Sequence, residues 1–254
     1  MDAVRTTGRR RGATALVMAV VLGAATSGCT TSHERADAPV LLFSGTGTST
    51  GDVAAVKAIL ERERITYATA DSRQLDAMDE RALRAHRLLI VPGGNFEVMG
   101  KGLAAATPGA IRAAVQGGLH YLGLCAGAFM AGDSPYNGIN LTGVRFGFYA
   151  LESQGVRKAP VQVRIVEGAP LEHYWEDGPQ LTGWGEVVAR YPDDTPAIVQ
   201  GSVGKGWVVL TGVHPEAPET WRGGMRFGTP ASVDNAHAAR LFRAALDGTR
   251  LPPF

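Results

Sequence analysis

Short apolar runs alternate with segments of helical spacing along the first half of the chain. Val40–Phe43 and Leu88–Val91 are uninterrupted apolar runs that each lead into a glycine-containing loop, which indicates buried strands. Asp52–Arg64 carries its apolar residues at helical spacing. By the same criteria, strands are predicted over 65–69 and 118–124, and a helix over 108–116. This alternation predicts a parallel sheet, whose strands are apolar throughout because both faces are covered by helices.

The second half of the chain has a different pattern. Val161–Ile165 and parts of Glu186–Arg190 alternate between apolar and polar positions, which favours antiparallel strands added to the same sheet. Gly206–Thr211 is predicted as one more core strand and Asp234–Asp247 as a closing helix. No internal repeat or linker interrupts the chain here, so residues 39–254 are predicted to form one α/β domain. Its sheet is expected to be doubly wound and mostly parallel, with antiparallel additions.

The N-terminal region has the layout of an export signal. Arginines, among them Arg9–Arg11, precede an uncharged apolar run over 13–25, which is shorter than the ~20 residues that a membrane-spanning helix needs. Small residues then lead into Cys29, similar to the bacterial lipobox, although Thr26 stands where an aliphatic residue is usual.

We therefore expect a lipoprotein signal peptide over 1–28, acylation of Cys29 and a polar tether over 29–38. The protein would then be lipid-anchored at the extracytoplasmic face of the cell membrane, since acyl chains bind membranes through their buried CH₂ groups. Ordinary signal cleavage, with Cys29 a free thiol, is the alternative. The choice between general secretory and twin-arginine export stays open.

Composition excludes several classes of protein. With 45% hydrophobic residues in 254, the chain can bury a core and is not disordered. A formal net charge of +1 gives no sign of nucleic-acid binding. Two cysteines cannot support a disulfide-stapled scaffold.

One of those cysteines lies in a catalytic pattern. Gly123-Leu124-Cys125-Ala126-Gly127 is a G-x-C-x-G that directly follows a predicted strand. Flanking glycines permit a sharp strand-to-helix turn that exposes the middle residue, as in a nucleophile elbow with Cys in place of Ser. The N-terminus of the following helix would favour the thiolate. A buried structural cysteine beside packing glycines is the alternative.

A histidine and a carboxylate follow the last predicted core strand. In extended chain the side chains of His214 and Glu216 point the same way, and Pro215 stiffens the link between them. A carboxylate beside an imidazole fixes its tautomer and stabilises the imidazolium. Because ligand sites lie beyond the carboxyl ends of the strands in such sheets, we expect Cys125 and His214 to meet there. Taken alone, His-Pro-Glu is more often a surface turn.

Gly93 and Gly94 supply a third element at another strand end. Residues without side chains allow backbone N–H groups to approach a ligand, as an oxyanion hole requires. We expect the donors to be the N–H groups of Gly94 and Ala126. A plain turn between strand and helix is the alternative.

Together these motifs resemble a known family. Pro92-Gly93-Gly94, Gly123-Leu124-Cys125-Ala126-Gly127 and His214-Pro215-Glu216 occur in the order found in class I glutamine amidotransferase-like domains. More narrowly, three segments look like the N-terminal domain of fungal-type biotin–protein ligases: Ser44-Gly45-Thr46-Gly47-Thr48-Ser49, Pro92-Gly93-Gly94 and Tyr121-Leu122-Gly123-Leu124-Cys125-Ala126-Gly127. The resemblance implies a flavodoxin-like fold and a catalytic triad of Cys125, His214 and Glu216, with oxyanion donors near Gly94 and Ala126.

One position departs from that family. Members that hydrolyse glutamine usually carry Gln four residues after the nucleophile, where this chain has Phe129. Glutamine is therefore an unexpected substrate, and the ligase's partner domain has no counterpart in the 254 residues.

The sequence favours an exported cysteine-dependent amidohydrolase or acyl transferase, with a non-catalytic binding lipoprotein on the same fold as the alternative. The expected partners are a small-molecule or peptide amide, the membrane and an unidentified protein partner, with no cofactor. No metal is expected, since His86, His173 and His237 lack ligand spacing. Tyr174-Trp175 is expected to pack at the surface or at a hinge, or else to cover the pocket.

Overall fold

The structure is a computed structural model that describes residues 1–3, 34–143 and 147–254. The predicted signal and Cys29 lie outside the described residues. Contacts divide the chain between Thr31 and Ser32, and the fold below belongs to the second unit. Within the described ranges, no helix has the length and apolarity needed to cross a bilayer.

Eleven strands and seven helices make up the described fold. The strands are β1 (Val40–Phe43), β2 (Tyr67–Ala70), β3 (Leu88–Val91), β4 (His120–Leu124), β5 (Gly147–Phe148), β6 (Lys158–Ile165), β7 (Leu171–Glu176), β8 (Pro179–Gln180), β9 (Glu186–Arg190), β10 (Pro196–Val203) and β11 (Gly206–Thr211). The helices are α1 (Thr50–Arg62), α2 (Ser72–Asp76), α3 (Glu80–Leu83), α4 (Phe96–Lys101), α5 (Thr107–Gly117), α6 (Ala126–Met130) and α7 (Ala231–Asp247).

Nine of these strands form one sheet in the order β2-β1-β3-β4-β11-β10-β9-β6-β7. The first five are mutually parallel, and β10, β9, β6 and β7 continue the sheet in antiparallel fashion. The sequence prediction of a mostly parallel sheet with antiparallel additions is confirmed. The parallel part has the strand order of flavodoxin-like folds.

Both faces of the sheet are buried, as the uninterrupted apolar strands predict. Along β1, Leu41 and Phe43 belong to the core cluster on the face covered by α5, while Val40 and Leu42 belong to the cluster on the face covered by α1 and α7. Alternate residues of a strand point to opposite faces, so an apolar run serves two cores at once.

Some predicted boundaries move for local reasons. The strand predicted over 65–69 begins at Tyr67, because the Ile65 amide donates to the Leu60 carbonyl and closes the last turn of α1. The closing helix begins at Ala231 rather than Asp234, directly after Pro230. The strands β7 and β10 and the short helices α2, α3 and α4 were not predicted from the sequence.

Candidate active site

The predicted elbow holds Cys125 in an unusual backbone conformation. Cys125 follows β4 directly with φ 47° and ψ −102°, a region that residues with side chains rarely adopt. A Cβ on Gly127 would lie 1.9 Å from the carbonyl oxygen of Val91, so only glycine fits the turn against β3. Strain of this kind persists where surrounding structure enforces it, and it is common at functional sites.

The thiol of Cys125 is buried and lies beside another strand end. Its Sγ is 3.5 Å from the carbonyl oxygen of Glu176, the last residue of β7, which can accept the S–H proton. The Cys125 amide donates to the Thr211 carbonyl at the end of β11. This hydrogen bond fastens Cys125 to the neighbouring strand that leads to His214.

Parallel pairing of β11 with β4 brings the second motif to the same edge. Thr211 is in register with Leu124, so the residues that follow each strand leave the sheet side by side. His214 Nδ1 lies 2.9 Å from Glu216 Oε1, and both side chains are buried. The structure therefore places His214 and Glu216 together at the strand end next to Cys125.

A residue that the sequence analysis did not single out completes this cluster. Asp52, in the first turn of α1, places Oδ1 3.2 Å from Nδ1 of His214. That oxygen has no hydrogen-bond partner among the described residues, so the contact is ionic, and the ring N–H points to Glu216. An acidic residue in a first helical turn ordinarily indicates only a favourable helix-dipole position.

The cluster is electrostatically coupled. Burial opposes charge on the imidazole, but Cys125, Glu216 and Asp52 outweigh it, so the pKa of His214 is raised well above its usual value. Burial likewise opposes ionisation of Asp52, yet its pKa is lowered because the His214 imidazolium lies beside it. The arrangement favours a charged imidazole between two carboxylates.

Gly93 lies against the contact between Asp52 and His214. A Cβ at this position would lie 2.0 Å from Asp52 Oδ1 and 2.8 Å from His214 Cε1. The missing side chain is what allows the carboxylate and the imidazole to meet.

The backbone amides of Gly94 and Ala126 are the two donors named in the oxyanion prediction. Gly94 has φ 144°. On one side of it the Gly93 carbonyl accepts the Ser49 amide, and on the other side the Asn95 amide donates to the Gly47 carbonyl. Ala126 begins α6, where an amide has no partner inside the helix. Neither N–H donates to an acceptor in the described part of the chain.

Aromatic side chains cover the imidazole. The rings of Tyr174 and Trp221 meet His214 edge-on, with centroids 5.9 Å and 5.8 Å away. Tyr174 and Trp175 are both buried, so the expectation of surface or hinge packing is wrong: β7 pairs with β6 and carries the two rings inward. A cavity of about 390 Å³ reaches His214 here, lined also by Lys158 and Glu176.

Phe129 lies among other aromatic residues. Its ring stacks on Phe96 with centroids 4.5 Å apart and tilts against Phe148 at 5.2 Å. These three side chains line a second cavity of about 670 Å³. Phe129 stands where glutamine-hydrolysing enzymes usually carry an amide, and Asp133 and Asn140 also line this cavity.

Asp52, His214 and Glu216 also have polar atoms within 4.8 Å of one another, a spacing that a cation could use. The distance between His214 Nδ1 and Glu216 Oε1, 2.9 Å, is that of an N–H···O hydrogen bond. We therefore read the group as a hydrogen-bonded, ion-paired cluster.

Two histidines far apart in sequence meet elsewhere in the core. His173 Nε2 and His237 Nδ1 are 3.0 Å apart, and burial, with the neighbouring His173 and Arg240, lowers the pKa of His237 to about 3. Asp234 Oδ1 lies 3.5 Å from the other ring nitrogen of His173.

Comparison with known proteins finds similarity in sequence and in fold. Residues 38–136 match the family model described as biotin-protein ligase, N terminal. A biotin–protein ligase of Schizosaccharomyces pombe is 30% identical over 159 residues, covering 51% of this chain and 25% of the ligase, so the chain spans about a quarter of that relative. A solved glutamine amidotransferase superposes with a TM-score of 0.58 at 21% identity, over 83% of this chain and 100% of that one. Residues 38–136 are thus similar to the N-terminal region of biotin–protein ligases, and the chain has the fold of the solved glutamine amidotransferase.

A second solved structure, of a protein from Thermoplasma acidophilum assigned to GMP synthase, superposes with a TM-score of 0.53 at 11% identity, covering 83% of this chain and 93% of that one. At such identities the superposition shows the fold alone. The biotin-protein ligase match includes Cys125 but ends before His214.

Proposed function

We propose that this amidotransferase-like protein hydrolyses or transfers an amide-type acyl group through a thioester on Cys125. The supporting observation is the meeting of three features at one sheet edge. The strained Cys125 follows β4, and the His214–Glu216 pair follows the adjacent parallel strand β11. A nucleophile, a base and a residue that orients the base are the elements of covalent acyl transfer.

In the proposed mechanism, His214 Nε2 takes the thiol proton while Nδ1–H stays bonded to Glu216. The Cys125 sulfur attacks the carbonyl carbon, and the N–H groups of Gly94 and Ala126 hold the oxyanion. The C–N bond breaks as the imidazolium returns its proton to the departing amine. Water, deprotonated by His214, then attacks the thioester, which releases the acid and restores the thiol. An amine in place of water would give transfer.

The substrate is expected to differ from glutamine. The stacked rings of Phe129 and Phe96 offer no amide or carboxylate to hold a polar side chain. An apolar acyl group matches this wall better, because burying an unpaired polar group costs free energy.

A panel of chromogenic amides tests the function. We expect the purified protein to hydrolyse amides with apolar acyl groups, and L-glutamine to be a poor substrate. Cys125→Ala should reduce the activity to background, because no nucleophile remains. The matched control is Cys29→Ala, which should retain the activity. Equal hydrolysis by wild type and Cys125→Ala would contradict the proposal.

We also propose that Cys29 is acylated and anchors the protein at the extracytoplasmic face of the membrane. The support is the order of arginines, apolar run and small residues before this cysteine. In bacteria grown with labelled palmitate, we expect label in the wild type and none in Cys29→Ser. Cys125→Ser should be labelled like the wild type, and label retained by Cys29→Ser would contradict the assignment.

A further inference from the structure

Two carboxylates face the same ring nitrogen of His214. Glu216 Oε1 accepts the Nδ1–H bond at 2.9 Å, and Asp52 Oδ1 lies 3.2 Å from the same nitrogen. The triad mechanism needs only one carboxylate to orient the base. Glu216 fills that role, so Asp52 requires a separate explanation.

The Asp52 side chain does not cap the helix that carries it. The N-cap of α1 is Ser49, whose hydroxyl accepts the Asp52 backbone N–H at 3.2 Å. The Asp52 carboxylate is buried, and within the described ranges its one ion-pair partner is His214. A buried carboxylate is costly without a cation beside it, so its placement is matched to a charged imidazole.

The neighbouring backbone is shaped to accept this pair. Gly93 leaves open the space between Asp52 and His214 that a Cβ would fill. Elements from three parts of the chain therefore converge on one contact: the first turn of α1, the loop after β3 and the loop after β11.

We propose that Asp52 is a positioning residue that holds His214 as an imidazolium and so stabilises the charged form through which the proposed acyl transfer passes. This inference rests on the proposed function for its consequence, but the ion pair itself can be measured without any substrate. The titratable groups around the imidazole, including those lining its cavity, are Asp52, Cys125, Lys158, Tyr174, Glu176 and Glu216.

NMR titration of the imidazoles in ¹⁵N-histidine-labelled protein, with EDTA present, tests the inference. Asp52→Asn keeps the shape of the side chain but removes its charge. We expect the pKa of His214 to fall by about 1–3 units, the usual effect of a nearby opposite charge. The matched control is Glu61→Gln, which removes one charge from the same helix and should leave the titration of His214 in place.

Asp52→Glu provides a readout that a purely structural role would not change. It retains the charge, so the pKa of His214 should lie closer to the wild-type value than in Asp52→Asn. A pKa of His214 that is equal in wild type and in folded Asp52→Asn would overturn the inference. Should Asp52→Asn fail to fold, a wild-type titration of His214 at or below its ordinary pKa would overturn it, and a raised pKa would support it.

The proposed function can fail separately. If Cys125→Ala retains amide hydrolysis while Asp52→Asn shifts the titration of His214, the ion pair stands and the nucleophile assignment is lost. If hydrolysis depends on Cys125 while His214 is insensitive to Asp52, the nucleophile assignment stands and Asp52 has no positioning role.

Discussion

His214→Asn is expected to slow alkylation of Cys125 by iodoacetamide at least about tenfold at neutral pH. An unassisted cysteine has a pKa of ~8.5 and is only a few per cent thiolate at that pH, whereas a histidine-paired cysteine is largely ionised. His214 is the cation that Cys125, Glu216 and Asp52 jointly favour, so its loss removes the charge that stabilises the thiolate.

The measurement is the second-order rate constant at Cys125, followed by mass spectrometry of the peptide that contains it. His120→Asn is a suitable control, because His120 lies at the start of β4 and its ring accepts the Trp207 amide, away from the elbow. Equal rates in wild type and His214→Asn would show that the imidazole does not activate the thiol.

Gly93→Ala is expected to damage both the site and the fold. The new methyl group would lie 2.0 Å from Asp52 Oδ1 and 2.8 Å from His214 Cε1, so the ion pair must separate. Overpacking of a buried position costs ~1–3 kcal/mol, and parting two buried charges adds to the loss. We expect a lower free energy of unfolding in urea, together with slower alkylation of Cys125.

Gly109→Ala is the matched control, since a Cβ there meets no atom within 4 Å and the position lies inside α5. Alanine at a helix-interior position should stabilise the protein by up to ~1 kcal/mol. If Gly93→Ala unfolds at the same urea concentration as the wild type and its Cys125 reacts at the same rate, the described fit between Gly93, Asp52 and His214 is wrong.

Local patterns in the sequence were enough to predict most of the fold. The strands β3, β9 and β11 have the predicted bounds. Each is an apolar or alternating run with turn residues on both sides, and these residues mark where the strand begins and ends. The start of β2 was less predictable, since it depends on how the last turn of α1 closes onto Ile65. The inward placement of Trp175 depends on pairing between β6 and β7, which no local pattern specifies.

The residues of the candidate site also differ in how far the sequence alone predicts them. Cys125, His214 and Glu216 stand within short motifs whose spacing carries chemical meaning, so the sequence singled them out. Asp52 enters from the first turn of α1 through tertiary packing, and a carboxylate there also suits the helix dipole. A weak signal existed in the chain: Asp52 follows a glycine-rich strand-end loop, at the sheet edge where ligand sites occur.

The pH dependence of Cys125 alkylation in the wild-type protein tests the central claim most directly. Because an imidazolium next to a thiol favours the reactive thiolate, alkylation of Cys125 at neutral pH should outpace that of a free cysteine. A rate at neutral pH no faster than that of a free cysteine, rising only near its pKa, would contradict the assignment of Cys125 as an activated nucleophile.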